Sequence, residues 1–139
     1  MRRSAAFVLG AVIAGAIVAG LGAAPPASQV ARGKYLVEQV AMCVDCHSPR
    51  NEKGQFDRAH WLDGSKLDFR PSHPMPVWAD YAPPLAGLSG WKDGQVTQFL
   101  HTGLNQAGKP ARPPMPAYTM TREDAAAVVA YLRSLKPHK

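Results

Sequence analysis

Cys43-Val44-Asp45-Cys46-His47 decides how the rest of this 139-residue chain is read. Two thiols three positions apart face the same way on one helical turn, and an imidazole follows at once. That spacing lets both sulfurs add across the vinyl groups of one porphyrin and holds the imidazole beneath its iron, the pattern of c-type haem attachment. Other uses of the five residues need company that the sequence lacks. A structural zinc site takes four ligands, usually with a second Cys/His pair. Cys43 and Cys46 are the only cysteines, and His60, His73, His101 and His138 are scattered without ligand spacing. A thioredoxin-like redox pair follows a strand within a βαβ unit, which the flanking sequence does not offer. A disulfide between the two cysteines would leave His47 without a role. The reading is one covalent haem c anchored by Cys43, Cys46 and His47.

Length and composition agree with a small domain built around such a group. The chain is long enough for one domain and a short extra segment. If haem consumes both thiols, no disulfide framework remains. Most of the 13 prolines fall between Pro71 and Pro116, which predicts long irregular loops there. So much loop leaves little apolar surface for a large core, and a buried porphyrin would supply it. The net charge is +6, or +4 without Arg2 and Arg3, and its basic residues are dispersed rather than blocked. Nucleic acid is therefore not the expected partner.

Residues 1–24 read as a targeting segment. Arg2 and Arg3 precede the uncharged apolar run Ala5–Ala24, whose 20 residues exceed a usual signal core and just reach bilayer-spanning length. The expectation is a secretory signal or a retained N-terminal membrane anchor, with the remainder exported. Residues 25–29 read as a linker and 30–139 as the haem-bearing domain. Val30, Tyr35, Leu36, Val37, Val40 and Ala41 predict an amphipathic helix from Val30 to Met42 that runs into the haem motif. Gly33 within it costs helix stability, about 1 kcal/mol against Ala, and is explained by a close helix crossing. Ser48-Pro49-Arg50-Asn51 ends the motif, and residues 50–80 read as loop with one helical turn. Ala82-Pro83-Pro84-Leu85 is extended because proline fixes φ. A helix is predicted from Lys92 to Leu100, ended by Thr102-Gly103. The last helix starts at the capping sequence Thr121-Arg122-Glu123-Asp124, with Ala125, Val128, Val129, Leu132 and Leu135 on one stripe.

A haem held by one His has a second axial position to fill, and methionine sulfur suits electron transfer because it raises the potential. Met42 adjoins Cys43 on the His side. Met115 in Pro113-Pro114-Met115-Pro116 and Met75 in Pro74-Met75-Pro76 are both held by flanking prolines, and Met120 leads into the last helix as an apolar residue. His60, His73 and His101 are the imidazole alternatives.

Taken together, these segments resemble a family. Arg32-Gly33-Lys34-Tyr35-Leu36 ahead of the Cys-x-x-Cys-His run, then Cys46-His47-Ser48-Pro49-Arg50-Asn51, Gly90-Trp91 and Phe99-Leu100-His101-Thr102-Gly103 carry the likeness. So do Pro113-Pro114-Met115-Pro116 and Thr121-Arg122-Glu123-Asp124 running into Ala130-Tyr131-Leu132-Arg133-Ser134-Leu135. The chain from about Val30 to Pro137 is similar to monohaem cytochromes c, in particular the cytochrome c domains of bacterial membrane-associated dehydrogenase subunits. The resemblance implies an all-α cytochrome c fold with about three main helices and long loops around haem. It implies Met115 as the sixth ligand, since the family's Met-Pro precedes the last helix, and Tyr131 packed near Gly33 where first and last helices cross. The family's Gly-Pro-Asn-Leu turn supplies the carbonyl for the proximal His. Ala82-Pro83-Pro84-Leu85 matches it in part, without the Asn, which makes Pro83 the candidate.

The implied function is one-electron transfer in a periplasmic respiratory or dehydrogenase-linked chain, with no catalysis of its own. The implied partners are redox proteins: a dehydrogenase, an oxidase or other cytochromes. A cytochrome subunit of a membrane-bound dehydrogenase or oxidase complex is the alternative, and a haem gas sensor or peroxidase would need an open sixth position. The expected location is the periplasm, or the periplasmic face of the inner membrane if residues 1–24 are retained. Lys92, Lys109 and Arg112 flank the Met115 segment and are the basic residues an acidic partner would meet.

Overall fold

The computed structural model describes residues 25–137. The targeting segment read at residues 1–24 lies outside them. Among the described residues there are four α-helices and little strand. Helix α1 spans Ala27–Tyr35 and continues as a π-helical turn, Leu36–Val40. Helix α2 is the one-turn Cys43–His47, α3 is Asp93–Thr102 and α4 is Arg122–Ser134. Short 3₁₀ turns lie at Arg58–His60 and Ala86–Leu88. Two-residue strands β1 (Ser65–Lys66) and β2 (Tyr81–Ala82) pair antiparallel, with Ser65 opposite Ala82.

The first helix departs from the sequence expectation at both ends. It begins at Ala27 rather than Val30, because Pro26 in an extended conformation (φ −55°, ψ 144°) serves as its N-cap. It also does not run into the haem motif. The Ala41 N–H closes a wide turn on the Leu36 carbonyl at 2.8 Å, and Met42 then turns left-handed with φ 49°. The haem motif is thereby a separate helix, so the described residues hold four α-helices where about three were expected.

The other helices end as their sequences direct. Gly103, at φ 72°, closes α3 by donating to the Phe99 carbonyl at 2.8 Å. Thr121 caps α4, its hydroxyl accepting from the Asp124 N–H at 3.1 Å. The Asp124 carboxylate reaches across to Arg32 of α1, at 2.9 and 3.2 Å.

Helices α1, α3 and α4 enclose the main core. Leu36, Val37 and Val44 meet Val96, Leu100, Val128, Val129, Tyr131 and Leu132 there. The α4 stripe is wider than periodicity implies: Ala127, Ala130 and Tyr131 are buried too. The reason is that α1, α3 and the Ala86–Leu88 turn all pack against α4. Gly33 is buried where α1 meets α4, against Ala127 and Tyr131. Arg133 fastens the end of α4, donating to the carbonyls of Gly87, Leu88 and Trp91 and to the Asp93 carboxylate. A second, smaller cluster joins Leu67, Ala79 and Ala82.

Candidate haem site

Cys43, Cys46 and His47 lie on the single turn of α2, and the two thiols are not bonded to each other. Their surroundings differ. Cys43 packs against the main core and Cys46 against the smaller Leu67–Ala79–Ala82 cluster, so the pair bridges two apolar surfaces. Burial pushes the Cys43 thiol up to about 11 and also raises that of Cys46. Both stay protonated at neutral pH, in surroundings suited to an apolar group.

His47 is buried, and its Nδ1 lies 2.7 Å from the Pro83 carbonyl oxygen. A carbonyl only accepts, so Nδ1 carries the proton and Nε2 keeps its lone pair for a metal. Burial lowers the His47 pKa, with the Pro83 bond acting in the opposite direction. The imidazole is thus held neutral, in one tautomer, in the form that ligates iron.

A ring of backbone contacts sets that geometry. The Gly64 N–H donates to the His47 carbonyl at 2.8 Å. The buried Ser48 hydroxyl accepts from the Leu62 N–H at 3.0 Å, and the Leu62 carbonyl accepts from Leu85 and Ala86 at 2.8 and 3.1 Å. Residues 62–64 therefore tie the end of α2 to the segment that presents Pro83. Gly64 has φ +86°, and a β-carbon on it would lie 2.8 Å from the Ala82 carbonyl oxygen. Glycine is required at this close approach.

The methionines occupy distinct settings. Met115 is half-buried, and the cis Pro113–Pro114 peptide precedes it. Met75 is 41% exposed and Met42 is 52% exposed, while Met120 packs on the main core. The two proline-flanked methionine segments run close together, since the Ala79 N–H donates to the Pro113 carbonyl at 2.7 Å. His101 donates from Nδ1 to the Met120 carbonyl at 2.7 Å, His60 lies 3.3 Å from Asp63, and His73 is exposed. Lys92, Lys109 and Arg112 are all exposed. Among the described residues no group of three or more His, Cys, Asp or Glu side chains could hold a bare metal ion.

One more group fits a porphyrin. The Trp78 Nε1–H is buried with no hydrogen-bond partner among the described residues. A porphyrin propionate is the kind of acceptor such a donor lacks. The sequence placed Trp78 only within the loop read over residues 50–80. Ser48 and Leu62 were likewise missed, their one signal being a small polar residue directly after the haem motif.

The cytochrome c family model matches residues 30–136. The chain belongs to the cytochrome c family. Its cofactor is accordingly a covalent haem c, with Cys43 and Cys46 in the position of the attachment motif, and electron transfer is the role of the family. It is 31% identical over 109 residues to the fructose dehydrogenase cytochrome subunit of Gluconobacter japonicus, covering 75% of this chain and 21% of that protein. It is 30% identical over 108 residues to a dihaem cytochrome c-type protein of Cereibacter sphaeroides, covering 73% of this chain and 34% of that one. Similarity also extends to the gluconate 2-dehydrogenase cytochrome c subunit of Pantoea cypripedii, 33% identical over 130 residues, with 79% and 28% covered. The chain thus spans between about a fifth and a third of the length of these relatives.

Proposed function

We propose that this chain is a one-electron carrier whose haem is joined to Cys43 and Cys46 and ligated by His47 and Met115. The observation that carries this reading is the His47–Pro83 contact at 2.7 Å, which leaves a neutral imidazole with its metal-binding nitrogen available, directly after two unpaired thiols. The haem supplies the Fe(III)/Fe(II) couple. The residues keep that couple clean of other chemistry. Pro83 orients the imidazole, and the buried Trp78 Nε1–H would be available to a haem propionate. Met115 would supply the iron's second protein ligand, which disfavours a gas sensor or peroxidase. The half-burial of Met115 beside the exposure of Met75 supports the choice between them. A potentiometric titration of the haem-loaded protein tests the reading. One Nernstian one-electron step, with no carbon monoxide uptake by the ferrous form, is expected; rapid carbon monoxide binding would contradict a closed site.

The electron donor is a dehydrogenase, either meeting this chain as a free carrier or holding it as a cytochrome subunit. The names of the relatives support the dehydrogenase link. The chain works in the periplasm, or at the periplasmic face of the inner membrane with residues 1–24 retained as an anchor. The apolar run behind Arg2 and Arg3 supports export, and none of the described helices is long and apolar enough to cross a membrane. Co-purification from membranes separates subunit from shuttle, and the mass of the native N-terminus separates anchor from cleaved signal.

A further inference from the structure

Contacts on both sides hold the segment that carries Met115. Before it, the Pro113 carbonyl accepts from the Ala79 N–H at 2.7 Å. After it, the Met120 N–H donates to the Leu100 carbonyl at 3.0 Å, and the Met120 carbonyl accepts from His101 at 2.7 Å. Between these, three residues past Met115, the Tyr118 hydroxyl donates to the Ala41 carbonyl at 2.8 Å. That bond is different in kind. It spans 77 positions in sequence and joins the methionine segment to the stretch that enters the Cys-x-x-Cys-His helix. Ala41 follows the π turn and precedes left-handed Met42. A carbonyl at such a helix end has no partner within the helix, so the tyrosine satisfies it. Tyr118 is half-buried, and burial raises its phenol to about 12. The hydroxyl therefore remains a donor through the neutral range.

We infer that Tyr118 is a positioning residue, a latch that holds the Met115 segment closed against the attachment helix. This deepens the proposed function and rests on the reading of Met115 as the axial ligand. Breaking the latch leaves every ligand in place. It makes the closed arrangement easier to leave, so an external ligand reaches the iron more often. A part-buried hydrogen bond of this kind biases such an opening by about three- to tenfold.

The test uses the haem-loaded full chain as wild type, Tyr118→Phe, and Tyr35→Phe as a control at an exposed tyrosine. Imidazole binding to the ferric protein is followed by stopped flow at saturating imidazole, where loss of the methionine limits the rate. Tyr118→Phe should retain the near-infrared sulfur-to-iron band at rest and bind imidazole about three- to tenfold faster than wild type and the control. Equal rates, with the band present, would overturn the latch alone. So would a lowered guanidinium midpoint with an unchanged imidazole rate, the mark of a merely structural tyrosine. A wild type without the band would instead remove Met115 as ligand, and the latch with it.

Discussion

Gly33 in α1 lies so close to Ala127 in α4 that a β-carbon on it would stand 1.9 Å from the Ala127 carbonyl oxygen. The same β-carbon would lie 2.8 Å from Cβ of Tyr131, so neither backbone nor side chain offers room. Gly33→Ala would gain about 1 kcal/mol of helix propensity. It would lose more by forcing the helices apart, since overpacking a tight contact typically costs 1–3 kcal/mol and this contact is far inside van der Waals distance. The expected result is a net loss of about 2 kcal/mol, read as a lower guanidinium midpoint. An unchanged midpoint would mean that the crossing is looser than described.

Ser48 supports His47 through Leu62. Ser48→Ala leaves the buried Leu62 N–H without its acceptor, a loss of about 1–3 kcal/mol. The variant should unfold at lower denaturant concentration and still take up covalent haem, because Cys43, Cys46 and His47 are untouched.

The contrast between Gly33 and Ser48 explains how much was legible in the sequence. Gly33, the α4 start at Thr121 and the haem motif are local signals, a missing side chain, a cap and a fixed spacing. Each reads without knowledge of the rest of the chain. The Ser48–Leu62 bond and the fourfold grip of Arg133 depend on groups brought from far along the chain by irregular loops, and the burial of Trp78 Nε1 depends on how those loops pack. No periodicity encodes those. The break at Met42 was hidden for another reason: a left-handed turn at a non-glycine residue carries no compositional mark. The attachment motif was therefore legible, while most of the contacts around it were not.

Tyr131 gives the molecule a dependence on high pH. Its hydroxyl donates to the Glu38 carboxylate and accepts from Trp61 Nε1 at 3.4 Å. Burial first, and the Glu38 bond second, raise the phenol from 10 to about 12. The folded protein therefore holds this proton more tightly than the unfolded chain. The contribution is complete below pH 10 and is lost as pH rises toward about 12. Tyr131→Phe should be less stable at pH 7 by about 1–2 kcal/mol. Its denaturation midpoint should also fall less steeply than that of wild type between pH 10 and 12. Parallel declines in the two proteins would remove Tyr131 as the source.

Met115→Ala should abolish the near-infrared sulfur-to-iron band of the ferric protein and open the iron to carbon monoxide once reduced. Met75→Ala should leave both properties as in wild type. The reverse pattern would assign the sixth position to the more exposed methionine.

Whether a single haem is joined covalently to Cys43 and Cys46 is decided by the intact mass of the purified protein after acid–acetone treatment. The expected mass is that of the polypeptide plus one haem, with the haem retained on a peptide containing Cys43–His47 after digestion. Release of all haem into the acetone, leaving a bare polypeptide with two free thiols, would contradict it.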